Sequence, residues 1–280
     1  MNSSTGGFPR PFRSSDPRAI LPRSVSLALW LPRATGGFAS PEVAVSSVQH
    51  DDEPHVVVSR VDQVETVEKL VDFVRSLSGC VVAVGAVFPV PGDVASAPYL
   101  AHHDGVEAEE MVLIRARLTD GSISNFALVP EVEQFGSRFE EGFTVRWVHQ
   151  EIGPWEYQVL ASAGSVAEAT RDLRTELLTV TEQLSLLGVA RSSVHHEDLV
   201  DLLRDPVDVG LFLPDDIAPR IFSLLEISAR LRAIVDIARL DEGGSVSAAQ
   251  GLARRDLLRR VDSVARRAME AGSLFTPLMQ

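Results

Sequence analysis

Near residues 153–164 the spacing of apolar residues changes from a mixture of strand and helix patterns to a continuous helix pattern, and this change limits the folds that the chain can adopt. Before this point short apolar runs of strand type alternate with helical patterns, whereas after it apolar residues recur every three or four positions. Strands alternating with helices favour a covered sheet, and continuous helical spacing favours a bundle. The pattern predicts an α/β domain at 23–152, a linker at 153–164 and a helical domain at 165–280.

The first domain begins with alternating segments. Apolar or β-branched runs predict strands and amphipathic patterns predict helices, which gives a strand at 24–31, a helix at 40–49, a strand at 55–60, a helix at 62–79 and a strand at 80–90. Ser40 followed by Pro41 fits the N-terminus of the first helix. Because parallel strands need a crossover between them, this order predicts a mixed sheet with a parallel core.

Three further strand-like runs follow, separated by turn-rich segments. They are EEMVLIRARLTDG, SNFALVPEVEQFG and FTVRWVHQEI, and they predict an antiparallel meander that extends the sheet to about residue 152. In the last run polar and apolar residues fall on both faces, so an edge or partly exposed strand is expected.

The second domain shows three long helical patterns, at 165–188, 214–244 and 245–272, and a short one at 195–205. Ser165 and Glu168 have the spacing of a capping box, and a Gly-Gly turn joins the last two helices. These patterns predict a bundle of three to four helices. At the other end, residues 1–22 are rich in Ser, Gly, Pro and Arg and predict a disordered basic tail.

The charge of the chain limits its partners. With 26 basic and 39 acidic residues the formal net charge is −13, which disfavours nucleic acid and anionic membranes. The sequence contains no apolar stretch near the ~20 residues of a membrane span. We therefore expect a cytoplasmic protein whose partner is another protein or a second copy, with no membrane contact.

Two single residues exclude common chemistries. Lys69 is the only lysine and lies in the helical pattern at 62–79, so a P-loop lysine or a Schiff-base lysine is not expected. Cys80 is the only cysteine, which excludes an intrachain disulfide and any CxxC motif. The motifs GxSxG, GxGxxG and HExxH are absent from the sequence as well, and no cofactor is predicted.

The loop after the strand at 80–90 offers candidate ligands, because sites in α/β sheets lie beyond the ends of strands. The candidates are Pro91, Gly92, Asp93, His102, His103 and Asp104. His102, His103 and Asp104 have ligand types suited to a divalent metal, which keeps a metal-dependent hydrolase open as an alternative. The other interpretation is a solvated connection, and it is favoured because the spacing is not diagnostic.

Two further clusters allow the same two interpretations. HDDEPH at 50–55 is either a metal site or a polar turn, and SSVHHEDL at 192–199 is either a metal site or a capped helix start. The three clusters could also converge in space, which the sequence alone does not decide.

Pairs of arginines recur along the last helix. Arg255, Arg259 and Arg266 are candidates for binding an acidic partner, and the same residues leave nucleic acid as a second alternative. Ion pairs with acidic neighbours in the bundle are the simpler expectation.

Five segments, LALWLP, VFPVPGD, FALVPEVEQFG, ARLRAIVDIA and GGSVSAAQGLARRDLLRRVDSVARRAM, together resemble a set of uncharacterised proteins from high-GC Gram-positive bacteria, over residues 25–272. The resemblance implies the same two-part layout and supplies no activity and no site residue. The interpretation favoured by the sequence is therefore a non-catalytic cytoplasmic binding protein.

Overall fold

The computed structural model describes residues 21–61, 64–137, 140–187, 209–240 and 248–279. Its strands are β1 (Val56–Val61), β2 (Val64–Lys69), β3 (Val81–Val87), β4 (Met111–Arg117), β5 (Ile123–Ser137) and β6 (Glu140–Glu151). Its helices are α1 (Arg23–Thr35), α2 (Pro41–Gln49), α3 (Leu70–Ser76), α4 (His102–Ala108), α5 (Glu156–Ala163), α6 (Val166–Leu187), α7 (Pro219–Leu240) and α8 (Ala248–Ser273).

The strands form one six-stranded sheet in the order β2-β1-β6-β5-β4-β3. Only β1 and β6 are parallel, with Val56 opposite Arg146, and every other neighbouring pair is antiparallel. The predicted mixed α/β class is confirmed, with its parallel pairing confined to this one pair. The predicted meander is β4, β5 and β6.

Helices cover both faces of the sheet. On one face Val84, Ile114 and Trp147 belong to a core shared with α1, α2, α3 and α7. On the other face Met111 and Leu113 pack with residues of the 94–108 segment and with α5 and its preceding Trp155. The sheet is therefore the middle layer of the molecule.

The predicted strand at 24–31 is wrong, because this segment lies inside helix α1. A continuous apolar run does not distinguish a buried strand from a buried helix, and here burial surrounds nearly the whole helix. Glu110 stabilises its first turn from outside, since the carboxylate accepts a hydrogen bond from the backbone N–H of Ser24 at 3.0 Å.

The helix predicted at 62–79 is only partly right. Residues Val64–Lys69 form β2, which turns straight back along β1, and helix α3 begins at Leu70. Val64, Val67 and Leu70 have helical spacing, but valine and threonine also suit a strand, and β1 offers pairing partners. Lys69 consequently ends a strand instead of lying within a helix.

For the last strand of the meander an edge or partly exposed strand was expected, and the edge position is wrong whereas the partial exposure is confirmed. Strand β6 lies between β1 and β5, and Trp147 on it is fully buried. Its polar residues are accommodated by neighbours: Arg146 pairs with Glu65 at 2.8 Å, and the His149 ring lies 4.7 Å from that of Phe126. Burial lowers the pKa of His149, so the neutral imidazole is favoured against the phenylalanine ring.

The three long helices α6, α7 and α8 form the predicted bundle, with Leu173, Leu224 and Ala268 in its core. The predicted capping box is confirmed, because the backbone N–H of Ser165 donates to the Glu168 carboxylate at 2.9 Å and the backbone N–H of Glu168 donates to Ser165 Oγ at 3.3 Å. The segment 153–164 contains helix α5 and the buried Trp155. None of the helices in the described ranges is long and apolar enough to cross a membrane.

Several predictions fall where the structure describes nothing. Residues 1–20 of the predicted tail, the short helix at 195–205 and the Gly-Gly turn at 243–244 lie outside the described residues.

Candidate functional site

The outer edge of β3 is covered by the C-terminal end of α8 and the residues after it. Backbone N–H groups along this edge donate to that segment, from Val84 to the Phe275 carbonyl at 2.9 Å, from Ala86 to Ser273 Oγ at 3.3 Å, and from Phe88 to Glu270 Oε1 at 3.1 Å. An edge strand needs such partners, and here helix side chains supply two of them. We call this contact the β3-edge interface.

Arg266 is the centre of the β3-edge interface. Its side chain is only 4% exposed. The guanidinium donates to the carbonyl of Phe88 at 2.8 Å, to Asp93 at 2.7 Å and to Asp262 at 3.1 Å. A planar guanidinium can serve three acceptors at once, which a lysine cannot do in the same geometry. Arg266 therefore joins α8 to the strand and to the loop behind it.

Asp93 brings the loop after β3 into the interface. Gly92 adopts a positive φ of 85°, which closes the turn so that Val90 and Asp93 exchange backbone hydrogen bonds. Burial raises the pKa of Asp93, but hydrogen bonds from Arg266 and from Ser263 at 2.9 Å outweigh it and hold the pKa below the usual value. Asp93 is therefore ionised and anchors α8, and its carboxylate is engaged by Ser263, Arg266 and Arg267 of that helix.

Glu270 is the most buried acid of the interface. It is 1% exposed, and its Oε1 accepts from the hydroxyl of Ser96 at 2.7 Å and from the Phe88 backbone. Its Oε2 has no hydrogen-bond partner among the described residues. Burial raises the pKa of Glu270 and outweighs its hydrogen bonds, so the protonated acid is favoured relative to an exposed glutamate.

A second layer of charges links α7 to the same interface. Asp262 lies 3.3 Å from Arg239 and 3.7 Å from Arg232, and the Arg232 guanidinium lies 5.3 Å from the centre of the Phe88 ring. Burial raises the pKa of the neighbouring Asp236 despite these cations. Asp262, Arg266 and Glu270 are spaced four residues apart, so they form one polar column beside the apolar seam of α8.

The predicted ligands His102, His103 and Asp104 do not lie in a loop but begin helix α4. The His103 side chain is 88% exposed, and Asp104 accepts a hydrogen bond from Gln150. Among the described residues no group of three histidine, cysteine or acidic side chains is arranged to hold a metal ion. The structure therefore does not bring these candidates together with Asp93 as a ligand set.

The cluster at 50–55 is divided between the surface and the core. His50 lies beside the exposed Asp51 at 2.8 Å, whereas the Asp52 side chain is buried and accepts two hydrogen bonds from Arg23, at 2.8 and 3.1 Å. His55 Nε2 lies 3.2 Å from Asp52, and Trp147 donates to His55 Nδ1 at 3.2 Å. Since Nδ1 accepts, the proton is on Nε2, and both ring nitrogens are used inside the protein. The cluster at 192–199 lies outside the described residues.

The candidate arginines of α8 have different surroundings. Arg259 is exposed and pairs with Asp256 at 3.2 Å, and Arg255 is exposed as well. Arg266 is buried in the β3-edge interface, so its guanidinium is not available to a partner. The expected ion pairs are present at Arg259, at Arg266 and at Arg260, which lies 2.6 Å from Glu176.

A cleft of about 380 Å³ lies beside the N-terminus of α7. It is lined by Gly210, Leu213, Pro214, Asp215, Ile217, Pro219 and Phe222. Among the lining residues that the structure describes, Asp215 is the only charged one.

Two family models match this chain. One is described as the Rv1486c-like protein, N-terminal domain, and matches residues 24–161, while the other is described as the Rv1486c-like protein, C-terminal domain, and matches residues 167–270. The chain belongs to the Rv1486c-like family. The family takes its name from a mycobacterial protein and has no assigned activity. None of the curated proteins and none of the solved structures compared with the chain gives a significant match.

The β3-edge interface joins the two parts of this Rv1486c-like chain. Phe88 and Asp93 belong to the N-terminal match, whereas Arg266 and Glu270 belong to the C-terminal match. The sequence indicated Asp93 and Arg266 separately and missed Glu270 and Asp262. The four-residue spacing of Asp262, Arg266 and Glu270 was the available signal, because a polar column next to an apolar seam is placed to become buried.

The buried Glu270 should make stability depend on pH. Its raised pKa means that the folded state binds a proton at pH values where the unfolded state, with an ordinary pKa of about 4.3, has lost it. The free energy of unfolding therefore falls as the pH rises from about 4.3 through the raised pKa. In Glu270→Gln this side chain stays neutral, so urea unfolding between pH 4 and about 8 should show the variant gaining stability relative to the original chain.

The control for this experiment is Glu107→Gln, because Glu107 is exposed on α4. Asp236 also has a raised pKa, but it is present in both proteins, so its contribution cancels in the difference. A stability difference between Glu270→Gln and the original chain that does not change with pH would contradict the burial-raised pKa of Glu270.

Proposed function

We propose that this Rv1486c-like chain is a non-catalytic binding protein that acts by contact with another protein in the cytoplasm. We also propose that the chain comes from an actinobacterium, because the family is named after a mycobacterial protein. The observation that carries the proposal is the exposure of two tyrosines and a leucine on two segments that hydrogen bonds hold together. We call these three residues, Tyr99, Leu100 and Tyr157, the tyrosine surface.

The tyrosine surface is highly exposed. Tyr99 is 91% exposed, Leu100 is 68% exposed and Tyr157 is 76% exposed. Tyr99 and Leu100 lie in the 3-10 turn before α4, and Tyr157 lies in α5, which covers the same face of the sheet. The neighbouring Gln158 ties these segments together through hydrogen bonds to the carbonyls of Ala95 and Ala97, both at 2.9 Å.

Tyrosine is well suited to protein contacts. It offers a large ring with few rotatable bonds and a hydroxyl that can find a partner at the rim of an interface. Tyrosines are also enriched among the residues that dominate binding energy. Two of them beside an exposed leucine therefore favour a protein partner.

The use of the buried polar groups supports a non-catalytic role. Asp52, His55 and Arg266 each hydrogen bond to other residues of the chain, and these bonds hold strands and helices together. A catalytic acid or base needs access to a substrate. These side chains instead act as internal structural contacts.

Photo-crosslinking tests the tyrosine surface. A benzophenone amino acid is placed at position 99 or 157 in cells that express the chain naturally, and at Phe38 as a control, since Phe38 is 87% exposed in the turn after α1. We expect positions 99 and 157 to crosslink the same second protein and position 38 not to crosslink it. Tyr99→Ser should reduce the crosslink formed from position 157, because both residues would belong to one contact.

Two results would overturn the proposed function. Identical crosslinking patterns from all three positions would show that the tyrosine surface has no specific partner. Stoichiometric zinc, manganese or iron in protein purified without chelator, lost in His102→Ala/His103→Ala, would establish a metal centre instead.

A further inference from the structure

Strand β2 is the open edge of the sheet. It pairs with β1 on one side, and within the described residues no strand lies on its other side. All six of its residues are exposed, with Val64 at 63% and Val67 at 57%. An edge with unpaired backbone groups is a template for another strand. The opposite edge, at β3, is covered by α8, so the two edges of the sheet differ.

The pairing of β2 with β1 decides which backbone groups point outward. Val56 lies opposite Lys69, and at the next position of the same ladder the backbone N–H of Leu70 donates to the carbonyl of His55 at 3.0 Å, so His55 and Leu70 are a hydrogen-bonded pair. Hydrogen-bonded pairs alternate along an antiparallel ladder, so Val64, Thr66 and Glu68 turn their N–H and C=O groups toward β1. Glu65, Val67 and Lys69 turn theirs toward the open edge.

We propose that β2 binds β2 of a second copy of this chain, antiparallel and about a two-fold axis, with Val67 opposite Val67 of the other copy. In this register Glu65 of each copy lies opposite Lys69 of the other. Glu65, Val67 and Lys69, whose backbone groups turn outward, then lie opposite Lys69, Val67 and Glu65 of the other copy. These three pairs give roughly six hydrogen bonds between the strands. The result is one continuous sheet shared by both copies, and the contact is the same on each.

Among the registers centred on an outward residue, charge complementarity favours this one. Opposite charges directly across an antiparallel pair stabilise it and like charges destabilise it. A shift of the axis to Glu65 places two glutamates opposite each other, and a shift to Lys69 places two lysines opposite each other. The register centred on Val67 avoids both arrangements and forms two opposite-charge pairs by symmetry. It also places the Val67 side chains of the two copies in contact.

The surroundings of Glu65 and Glu68 agree with this register. Glu65 is paired with Arg146 at 2.8 Å through Oε1, and the two oxygens of a carboxylate can accept from several donors at once, Lys69 of the second copy among them. Glu68 points to the other face of β2, where it lies opposite Thr66 of the second copy. Charges on an edge strand often prevent pairing, but here they alternate in sign so that one register turns them into attractive pairs.

The dimer through β2 is a second contact, on a different strand from the tyrosine surface. Lys69 is the only lysine of the chain, which makes chemical crosslinking unusually specific. A carbodiimide joins an amine directly to a carboxylate, so it should link Lys69 of one copy to Glu65 of the other. Mixing chains with natural and heavy nitrogen and analysing the linked peptides by mass spectrometry establishes that the link joins two copies.

Analytical ultracentrifugation with charge variants completes the test. Glu65→Lys places like charges opposite each other in both symmetric pairs, so we expect the dimer to weaken by about tenfold or more. Glu65→Lys/Lys69→Glu should restore it, because the opposite-charge pairs return with their signs exchanged. Glu68→Lys is the matched control on the same strand and should leave the dissociation constant within about threefold.

Three results would overturn the dimer. They are a monomer for the original chain at about 100 μM with no Lys69–Glu65 crosslink, an equal loss of dimer in Glu68→Lys and Glu65→Lys, and a double variant that remains as weak as Glu65→Lys. Each of these leaves crosslinking from positions 99 and 157 unaffected, so failure of the dimer and failure of the tyrosine surface are distinguishable.

Discussion

Replacing Arg266 with alanine is expected to lower the free energy of unfolding by about 3–5 kcal/mol. The substitution removes the cation from between Asp93 and Asp262, whose carboxylates lie 2.7 and 3.1 Å from the guanidinium. Asp262 is 4% exposed, so its charge would stay buried with weaker compensation from Arg239. The carbonyl of Phe88 would also lose the hydrogen bond that Arg266 donates.

Urea unfolding followed by circular dichroism measures this effect. The matched control is Arg259→Ala on the same helix, where the side chain is exposed and pairs only with the exposed Asp256 among the described residues. A change within about 0.5 kcal/mol is expected there. Arg266→Lys should lie between the two, because a lysine keeps the charge and loses the planar fork. Equal losses in the two alanine variants would contradict the central place given to Arg266.

Replacing Asp52 with alanine should have an effect of the same size, about 3–5 kcal/mol. Asp52 accepts both hydrogen bonds from Arg23, and the Arg23 side chain is only 8% exposed. Without the carboxylate this guanidinium would remain buried beside an apolar methyl group. The hydrogen bond between His55 Nε2 and Asp52 would be lost too, although Trp147 would still donate to Nδ1.

Thermal or urea unfolding measures the loss, with Asp51→Ala as the control. Asp51 is the adjacent residue with the same side chain, but that side chain is 81% exposed. Its replacement should change the free energy of unfolding by no more than about 0.5 kcal/mol. A loss of similar size in both variants would contradict the assignment of the effect to the buried contacts that Asp52 makes with Arg23 and His55. Trp147→Phe removes the donor to His55 Nδ1 and should lower the free energy of unfolding by about 1–3 kcal/mol.

Much of the fold could be predicted because its signals are local. Helix α2 begins where Ser40 caps it, with the hydroxyl accepting from the backbone of Val43 at 3.2 Å. The capping box at Ser165 has the predicted partners, and β3 occupies the predicted apolar run. A cap, a turn or a helical seam involves residues within about four positions of each other, so the sequence carries the interaction directly.

Three predictions about secondary structure or strand position failed for one cause, which is that the neighbour of each segment was unknown. The run around Leu27 became a helix because apolar residues surround it on all sides. The strand β2 formed because β1 was available to pair with it. The strand β6 became central because Glu65 and Phe126 accommodate its polar residues Arg146 and His149.

The sequence by itself determined the mixed α/β class, the helical second half, the absence of a P-loop lysine and the absence of a disulfide. Only the tertiary structure decided that Asp93 pairs with Arg266, a residue 173 positions away. It likewise decided that Asp52 and His55 are buried while Asp51 and His103 face water. The physical reason is that a charged side chain has the same chemistry wherever it lies, and its role follows from how much water surrounds it and which opposite charge packing brings within about 3 Å.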